Sequence, residues 1–298
     1  MRLAHNLASL NIYKSYTKAT SAQSRAINNI SSGYKVSSAK DNPNVIAQSE
    51  KIKIQIRGLQ MAGKNMQDGI SMLQTAEGGL DNMTSMLQRI RELTLQSANG
   101  TNSTSDKAAI QNEIDQLIEG YDDIASNTEF NGTKLLKNGN SIGNNNTLKL
   151  ETVVGANSDE KVKIPYYNLT STQIPVVQGS SASRNCLADL KSNGSINIAD
   201  NDISKGLEVI DSSLNSIVSV RSKYGALENR LDSTYYNVGE ISEKMEGADS
   251  VLVDADIAEE MMNYSRASIL SEAGNAMMAQ TNKFSQDILG ALSNVRSK

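Results

Sequence analysis

The hydrophobic positions near the end of the chain repeat with the period of a helix that packs against another helix. From Ala267 onward they recur at alternating intervals of three and four, which predicts a heptad seam on one side of a helix. Small side chains alternate with large ones, so a partner helix can approach closely at the small positions. A helix of this kind gains most of its stability from packing, so it needs something to lie against. The seam consists of Ala267, Leu270, Gly274, Met277, Thr281, Phe284, Ile288, Ala291 and Val295.

The beginning of the chain has a similar pattern of small residues. Residues 1 to about 32 read as a helix, and Gly33 is a candidate for the left-handed residue that ends it. Leu3, Leu7 and Leu10 give this helix an apolar start. Its small side is formed by Ala8, Ile12, Ser15, Ala19, Ala22 and Ala26.

The charges of the two ends are opposite in sign. The first forty residues contain six Lys or Arg and no Asp or Glu, whereas the segment from Asp249 onward holds seven acidic and four basic residues. Electrostatic complementarity therefore favours pairing of the two ends over self-pairing of either one. The alternative is two solvated helices that never meet.

Between the ends, three further helices are predicted. Asn42-Pro43 opens a helix that should continue to Asn99-Gly100, about 80 Å of helix at the usual rise. A shorter helix starts at Asp106, and a long one with a regular heptad pattern starts at Ile203. The first of these seams contains a three-residue stammer and reads Ile56, Leu59, Gly63, Met66, Ile70, Leu73, Ala76, Leu80, Met83, Leu87 and Ile90.

The period changes after Phe130. Asn131-Gly132 marks a tight turn, and the alternation around Leu148–Leu150 and Val162–Ile164 predicts a β-hairpin. The fold class is thus mainly α, with long helical rods, a terminal coiled coil formed by both chain ends and a small β-hairpin region in the middle. The expected division is a coiled-coil domain of residues 1–42 and 249–298, a helical rod domain of 43–135 and 200–248, and a variable region of 136–199.

Composition narrows the possible functions of the 298-residue chain. Aromatic residues make up only 4% and hydrophobic residues 38%, which fits extended helices better than a compact core. A net charge of −4 without a basic stripe argues against nucleic-acid binding. The sequence contains no run of 18 apolar residues, so no membrane-spanning segment is predicted. The first residues lack the apolar block of a cleaved signal peptide. The single cysteine, Cys186, lies in a polar stretch and is interpreted as incidental.

The sequence contains no recognisable catalytic motif. The one histidine, His5, cannot supply a zinc-protease motif or a Ser-His-Asp arrangement together with an internal partner. Asp254, Asp256, Glu259 and Glu260 are read as acids favoured by a helix dipole, with a divalent-metal site as the weaker alternative. We therefore expect neither enzymatic activity nor a cofactor.

Several blocks of sequence resemble one protein family, the bacterial flagellins. At the N-terminal end the resemblance is carried by RAINNISSGYKV from Arg25, IRGLQMAGKNMQDGISMLQTAEGGL from Ile56, LQRIRELTLQSANGTNS from Leu87 and EFNGTKLL from Glu129. At the other end it is carried by GALENRL from Gly225, DADIAEEM from Asp254 and residues 280–292. These blocks occur along the chain in the order of the family.

The resemblance implies a structural subunit that self-assembles into the extracellular flagellar filament used for swimming. It implies that the paired ends form the inner tube of the filament, and that these ends are disordered in the free subunit and fold on assembly. It also implies uncleaved export through the flagellar secretion channel. The implied partners are further copies of the chain, an export chaperone at the C-terminal helix, and the hook-filament junction and cap proteins.

Flagellins also tend to be ligands of the host Toll-like receptor that senses them. The matching positions here are Gln88, Arg89 and Leu93, together with Glu113 on the third helix. An ordinary lateral contact between subunits is the alternative role for this patch. Two rival functions remain: the flagellin-like junction protein between hook and filament, and a secreted enzyme on a flagellin scaffold, against which the lone histidine counts.

Overall fold

The computed structural model of the chain describes residues 7–137, 149–174, 186–194, 196 and 203–296, except for the side chains of 285 and 288–296. Within these residues the protein is mainly α, as predicted from the sequence. The α-helices are α1 (Leu7–Ser32), α2 (Pro43–Ser97), α3 (Thr104–Asn127), α4 (Ile203–Val253) and α5 (Ile257–Arg296). The strands are β1 (Glu129–Phe130), β2 (Thr133–Lys134), β3 (Lys149–Val153) and β4 (Lys161–Pro165), and a 3-10 helix covers Leu187–Leu190.

Local chemistry sets several helix limits. Gly33 ends α1 with φ +77°, and its N–H donates to the carbonyl of Asn29 at 2.9 Å, which confirms the predicted left-handed cap. Ser103 and Asp106 form a capping box at the start of α3, and the Ser103 hydroxyl holds the pKa of Asp106 below its usual value. This box moves the start of α3 to Thr104, two residues before the predicted one.

Both short sheets are antiparallel hairpins. In the first, Asn131 and Gly132 both have positive φ, so the predicted Asn-Gly turn is confirmed. In the second, Leu150 pairs with Ile164 and Thr152 with Val162, which confirms the hairpin in the middle of the chain. Leu148, predicted to begin this hairpin, lies outside the described residues.

The chain divides into two compact units. One comprises residues 1–56 and 243–298, and the other comprises residues 57–242. The boundaries fall inside α2 and inside α4. The three-part division at residues 42, 135, 199 and 248 stays a prediction.

The unit of residues 57–242 has a core of large apolar side chains. Most of the predicted seam of α2 is buried in it, although Gly63 and Ile70 are only half-buried. The large side chains with at most 1% exposure include Met66, Leu73, Leu80, Met83, Leu87 and Ile90 from α2, Ile114, Ile118 and Tyr121 from α3, and Ile210, Ile217, Val220 and Leu231 from α4. Burial of so many large side chains supplies most of the stability of this unit.

Polar contacts fix the antiparallel register of α2 and α4. Gln74 Nε2 donates to Glu228 Oε1 at 2.8 Å, and Arg91 Nε donates to Asp211 Oδ1 at 2.8 Å. The residue numbers of the two partners add up to the same value in both pairs, so the helices keep one antiparallel register between them.

Glycines on α2 bring the hairpins close to the helix. A Cβ at Gly58 would stand 3.1 Å from Ala156 Cβ, in the turn between β3 and β4. Further along α2, a Cβ at Gly79 would stand 2.9 Å from Thr128 Oγ1 and 3.1 Å from Leu136 Cδ1. The hairpins therefore rest on parts of α2 that have no side chain.

Adjacent glycines of α2 provide a matched test of this packing. A Cβ placed at Gly78 would meet open space, with no neighbour within 4 Å, so Gly78→Ala should stabilise the helix by about 1 kcal/mol through propensity. Gly79→Ala meets Thr128, whose hydroxyl is held by the Ile124 carbonyl at 2.7 Å, so overpacking should make it about 1–3 kcal/mol less stable than Gly78→Ala. Urea unfolding of both variants measures the difference, and equal midpoints would contradict the packing described.

Candidate functional site

Helices α1 and α5 lie antiparallel along each other in the unit formed by the chain ends. Tyr34 pairs with Asp254, Asn29 Nδ2 donates to Glu260 Oε1 at 3.0 Å, and Gly274 faces Tyr16. Among the described residues, this is the one helix pair whose Cα atoms approach within 8 Å at many positions along its length. The predicted pairing of the two chain ends is therefore present in the structure of a single chain.

Small residues make this close approach possible. Ala19 and Ala26 of α1 and Ala267 of α5 are nearly inaccessible, with at most 7% exposure, and a Cβ at Gly274 would stand 3.4 Å from Tyr16 Cβ. We call Ala19, Ala26, Ala267 and Gly274 the small seam. Alanine loses little side-chain entropy on packing, but it also buries little apolar area.

The predicted phase of the α5 seam is wrong at every second position. The sequence pattern placed Leu270 and Met277 at the contact with α1, but the half-buried residues between the small positions are Ser271 and Met278. The contacting series is thus Ala267, Ser271, Gly274, Met278 and Thr281, with spacing 4-3-4-3. The small residues of this series thus alternate with Ser271 and Met278 rather than with Leu270 and Met277.

The displaced large residues form an exposed row on α5. Leu270, Met277 and Phe284 are seven residues apart and 56%, 61% and 63% exposed, and we call them the apolar stripe. On α1, Leu7 and Leu10 are also exposed, at 65% and 49%. An exposed apolar row of this kind is a candidate interaction surface.

Three predicted assembly residues cannot be located on this surface. Leu3 lies outside the described residues, as does His5. Ile288 and Val295 belong to α5, but their side chains lie outside the description.

The predicted charge complementarity does not take the form of ion pairs across the α1–α5 contact. Among the described residues no ion pair joins the two helices, and Asn29 Nδ2 donates a hydrogen bond to Glu260 Oε1 across the contact. Instead, Lys18, Arg25 and Arg266 line an open groove of about 540 Å³ beside the small seam. Their charges remain available to other molecules.

Backbone hydrogen bonds connect the segments that follow α1 and precede α5. Lys35 N–H donates to the Val253 carbonyl at 2.7 Å, and Ala255 N–H donates to the Gly33 carbonyl at 2.9 Å. Asp256 Oδ1 then accepts the Ala258 N–H at 2.8 Å and caps α5. The acidic residues here thus act as helix-terminal groups, and in the described part of the chain no cluster of His, Cys, Asp and Glu is suited to a metal ion.

The patch predicted for receptor binding lies on α2 and α3, and three of its four members share a surface. Arg89 Nη2 donates to Glu113 Oε1 at 2.8 Å, and Gln88 is exposed beside it. The hydrogen bond to Glu113 raises the pKa of Arg89. Leu93 does not belong to this surface: it is 2% exposed and packs in the core beneath Arg89.

Sequence reasoning missed a second groove, of about 910 Å³, between α2 and α4 in the unit of residues 57–242. It holds the exposed side chains of Met61 and Tyr236, and we call it the tyrosine groove. The signal in the sequence was a pair of glycines, Gly63 and Gly239, opposite each other beside Tyr235-Tyr236. Its lining includes Arg57, Leu59, Met61, Gly63, Lys64, Gln67, Tyr235, Tyr236, Val238, Gly239 and Glu240.

Known families and structures match these features. The model of the bacterial flagellin N-terminal helical region matches residues 3–141, and that of the C-terminal helical region matches residues 207–292. Flagellin of Bacillus subtilis (strain 168) is 36% identical over 305 residues, which cover 98% of this chain and 100% of that protein. The flagellar filament 30.7 kDa core protein of Treponema maltophilum is 33% identical over 293 residues, with the same coverage.

A solved structure agrees at the level of the fold. A protein from Vibrio parahaemolyticus, described as flagellar hook-associated, superposes with a TM-score of 0.57 at 13% identity, covering 72% of this chain and 99% of that one. No described helix is both long and apolar enough to cross a lipid bilayer.

Fold and surfaces together define a mainly α structural protein whose ends pair through small residues and present exposed apolar rows. By sequence, the chain belongs to the bacterial flagellin family.

Leu93→Ala and Arg89→Ala should separate core from surface in the predicted receptor patch. Removing the buried Leu93 side chain should cost about 2–5 kcal/mol of unfolding free energy. Arg89→Ala breaks exposed ion pairs only and should change that free energy by about 1 kcal/mol or less. Guanidinium unfolding of both variants measures the loss of unfolding free energy in each. A Leu93→Ala chain as stable as its parent would contradict the burial of Leu93.

Proposed function

We propose that the chain is a structural subunit of a bacterial flagellar filament and polymerises outside the cell. The observation that carries this proposal is the apolar stripe of Leu270, Met277 and Phe284, which stays exposed when α1 and α5 pair. Contacts of one surface with a different surface of the next copy produce an open helical polymer rather than a closed ring. Family membership and the filament names of its relatives support the same function.

Assembly in this proposal also stabilises the chain ends. The small seam buries little apolar area, so the α1–α5 pair alone gains little free energy against the cost of ordering it. Neighbouring copies that cover the apolar stripe and Leu7 and Leu10 add the missing burial. Ile288, Val295 and Leu3 are expected to take part in the same contacts.

The remaining partners follow from family membership. We propose that the chain leaves the cell uncleaved through the flagellar secretion channel, with an export chaperone bound to α5. The exposed apolar stripe is a suitable surface for such a chaperone before assembly. Hook-filament junction and cap proteins are the partners expected at the two ends of the filament.

A junction protein between hook and filament is the second candidate. The similarity to a hook-associated structure favours it only at the level of the fold, because the identity is 13%. The flagellin relatives align over nearly the whole chain at 36% identity, which favours a filament subunit. Purified chain that grows long polymers by itself supports the first role, and chain that adds a single terminal layer to preformed filaments supports the second.

Truncation tests the assembly role of α5. Deleting residues 267–298 removes the apolar stripe and part of the small seam, while the unit of residues 57–242 keeps its core. We expect a chain that retains cooperative thermal unfolding but forms no filaments in ammonium sulfate. Long filaments from the truncated chain, seen by electron microscopy, would exclude an essential role for α5.

Recognition by the host Toll-like receptor is proposed for the surface of Gln88, Arg89 and Glu113, with Leu93 as its support from below. Arg89→Ala removes the exposed guanidinium from this surface. We expect a reduction of receptor signalling by about tenfold, typical of an arginine at the centre of an interface, with filament growth within about twofold of the parent. Arg230→Ala, an exposed arginine on α4, is the control. Unchanged signalling by Arg89→Ala would remove the receptor role, and loss of filament growth instead would assign the patch to subunit contacts.

A further inference from the structure

The tyrosine groove is open but has a fixed floor. The Tyr235 ring lies over Gly63, where a Cβ would stand 3.6 Å from a ring carbon, and Gln67 Nε2 donates to the Tyr235 hydroxyl at 3.0 Å. Tyr236 meets Tyr235 edge to face at 6.0 Å and is 72% exposed. At Gly239 nothing lies within 4 Å of a Cβ position, so the groove has room there. These features describe a preformed site for apolar side chains.

One rim of the groove carries positive charge that no described acidic residue neutralises. Arg57 and Lys64 are one heptad apart on α2, and neither forms an ion pair with any residue that the structure describes. The opposite rim includes Glu240 of α4. An occupant with acidic groups on one side of an apolar face would match the α2 rim.

The start of α5 has this combination of groups. Residues 245–265 contain six acidic residues and no Lys or Arg. Ile257, Met261 and Met262 are 49%, 49% and 62% exposed. The side chains of Asp254 and Glu259 are exposed and have no polar partner among the described residues. We call residues 254–262 the acidic segment.

We propose that the tyrosine groove of one copy receives the acidic segment of a second copy. In this contact Met262 lies against Met61 and Tyr236, and Glu259, three residues earlier on the same face of α5, faces Lys64. The occupant is a second copy because this chain itself carries a segment with acidic groups that complement the positive α2 rim and with apolar residues that suit the apolar groove. The inference rests on the proposed polymerisation and specifies one contact within it. It joins two different surfaces, as growth of an open polymer requires.

Charge exchange tests the pairing in the full-length chain. Lys64→Glu and Glu259→Lys each place like charges together, so at low ionic strength, where exposed charges are least screened, each should raise the concentration left unpolymerised by about tenfold. Lys64→Glu combined with Glu259→Lys in one chain restores opposite charges and should return that concentration to within about twofold of the parent. Arg230→Glu makes the same charge change as Lys64→Glu at an exposed position of α4, and it should leave the unpolymerised concentration unchanged. Parent-like assembly by Lys64→Glu, or a double variant no better than the single ones, would overturn the pairing.

Cross-linking tests it independently of assembly yield. Met61→Cys and Met262→Cys are placed in separate chains, each with Cys186→Ser. Oxidation should give a disulfide-linked dimer in the mixture at least fivefold above that from either chain alone. Met61→Cys mixed with Val218→Cys, an exposed position outside the groove, is the control. Polymers without the mixed dimer would overturn the pairing and leave the filament function intact, whereas a mixed dimer from a parent that never polymerises would support the pairing and remove the filament.

Discussion

The contact between α1 and α5 depends on side chains that are too small to stabilise it alone. Ala19, Ala26, Ala267 and Gly274 let the two backbones approach closely, with the half-buried Met278 as a larger side chain among them. Leu270, Met277 and Phe284 stay exposed when the helices pair. The pairing of the chain ends thus leaves an apolar row uncovered, and in the proposed function further copies cover it.

The unit of residues 57–242 follows the opposite rule. Its helices are separated by large residues such as Met66, Leu80 and Ile118, each fully buried. Polar contacts such as those of Gln74 and Arg91 hold α2 and α4 in register. A unit of this kind can fold without neighbours, so it can supply a stable part of the subunit before assembly. Tyr121 is fully buried in this core, and its burial raises the pKa of the phenol.

Heptad spacing and turn residues were sufficient to predict the long helices, the Asn131-Gly132 turn and the β3–β4 hairpin, and the seams together with the opposite charges predicted the pairing of the chain ends. The phase of the α5 seam was not predictable from hydrophobicity alone. Prediction from hydrophobicity places large residues such as Leu270 against the partner helix, whereas here mainly small residues face α1. Leu93 was misplaced for a related reason: residues four apart lie near each other on a helix, but a turn of about 40° between them is enough to place Leu93 under Arg89. The tyrosine groove escaped notice because its floor depends on two glycines in different helices.

Hydrogen exchange, compared between the free and the polymerised chain, tests whether the paired ends gain their stability from neighbouring copies. Amides of α1 and α5 should exchange rapidly in the free chain and become strongly protected in the polymer. Amides of the buried faces of α2, α3 and α4 within residues 57–242 should be protected in both states. Equal and strong protection of α1 and α5 in the free chain would contradict the account.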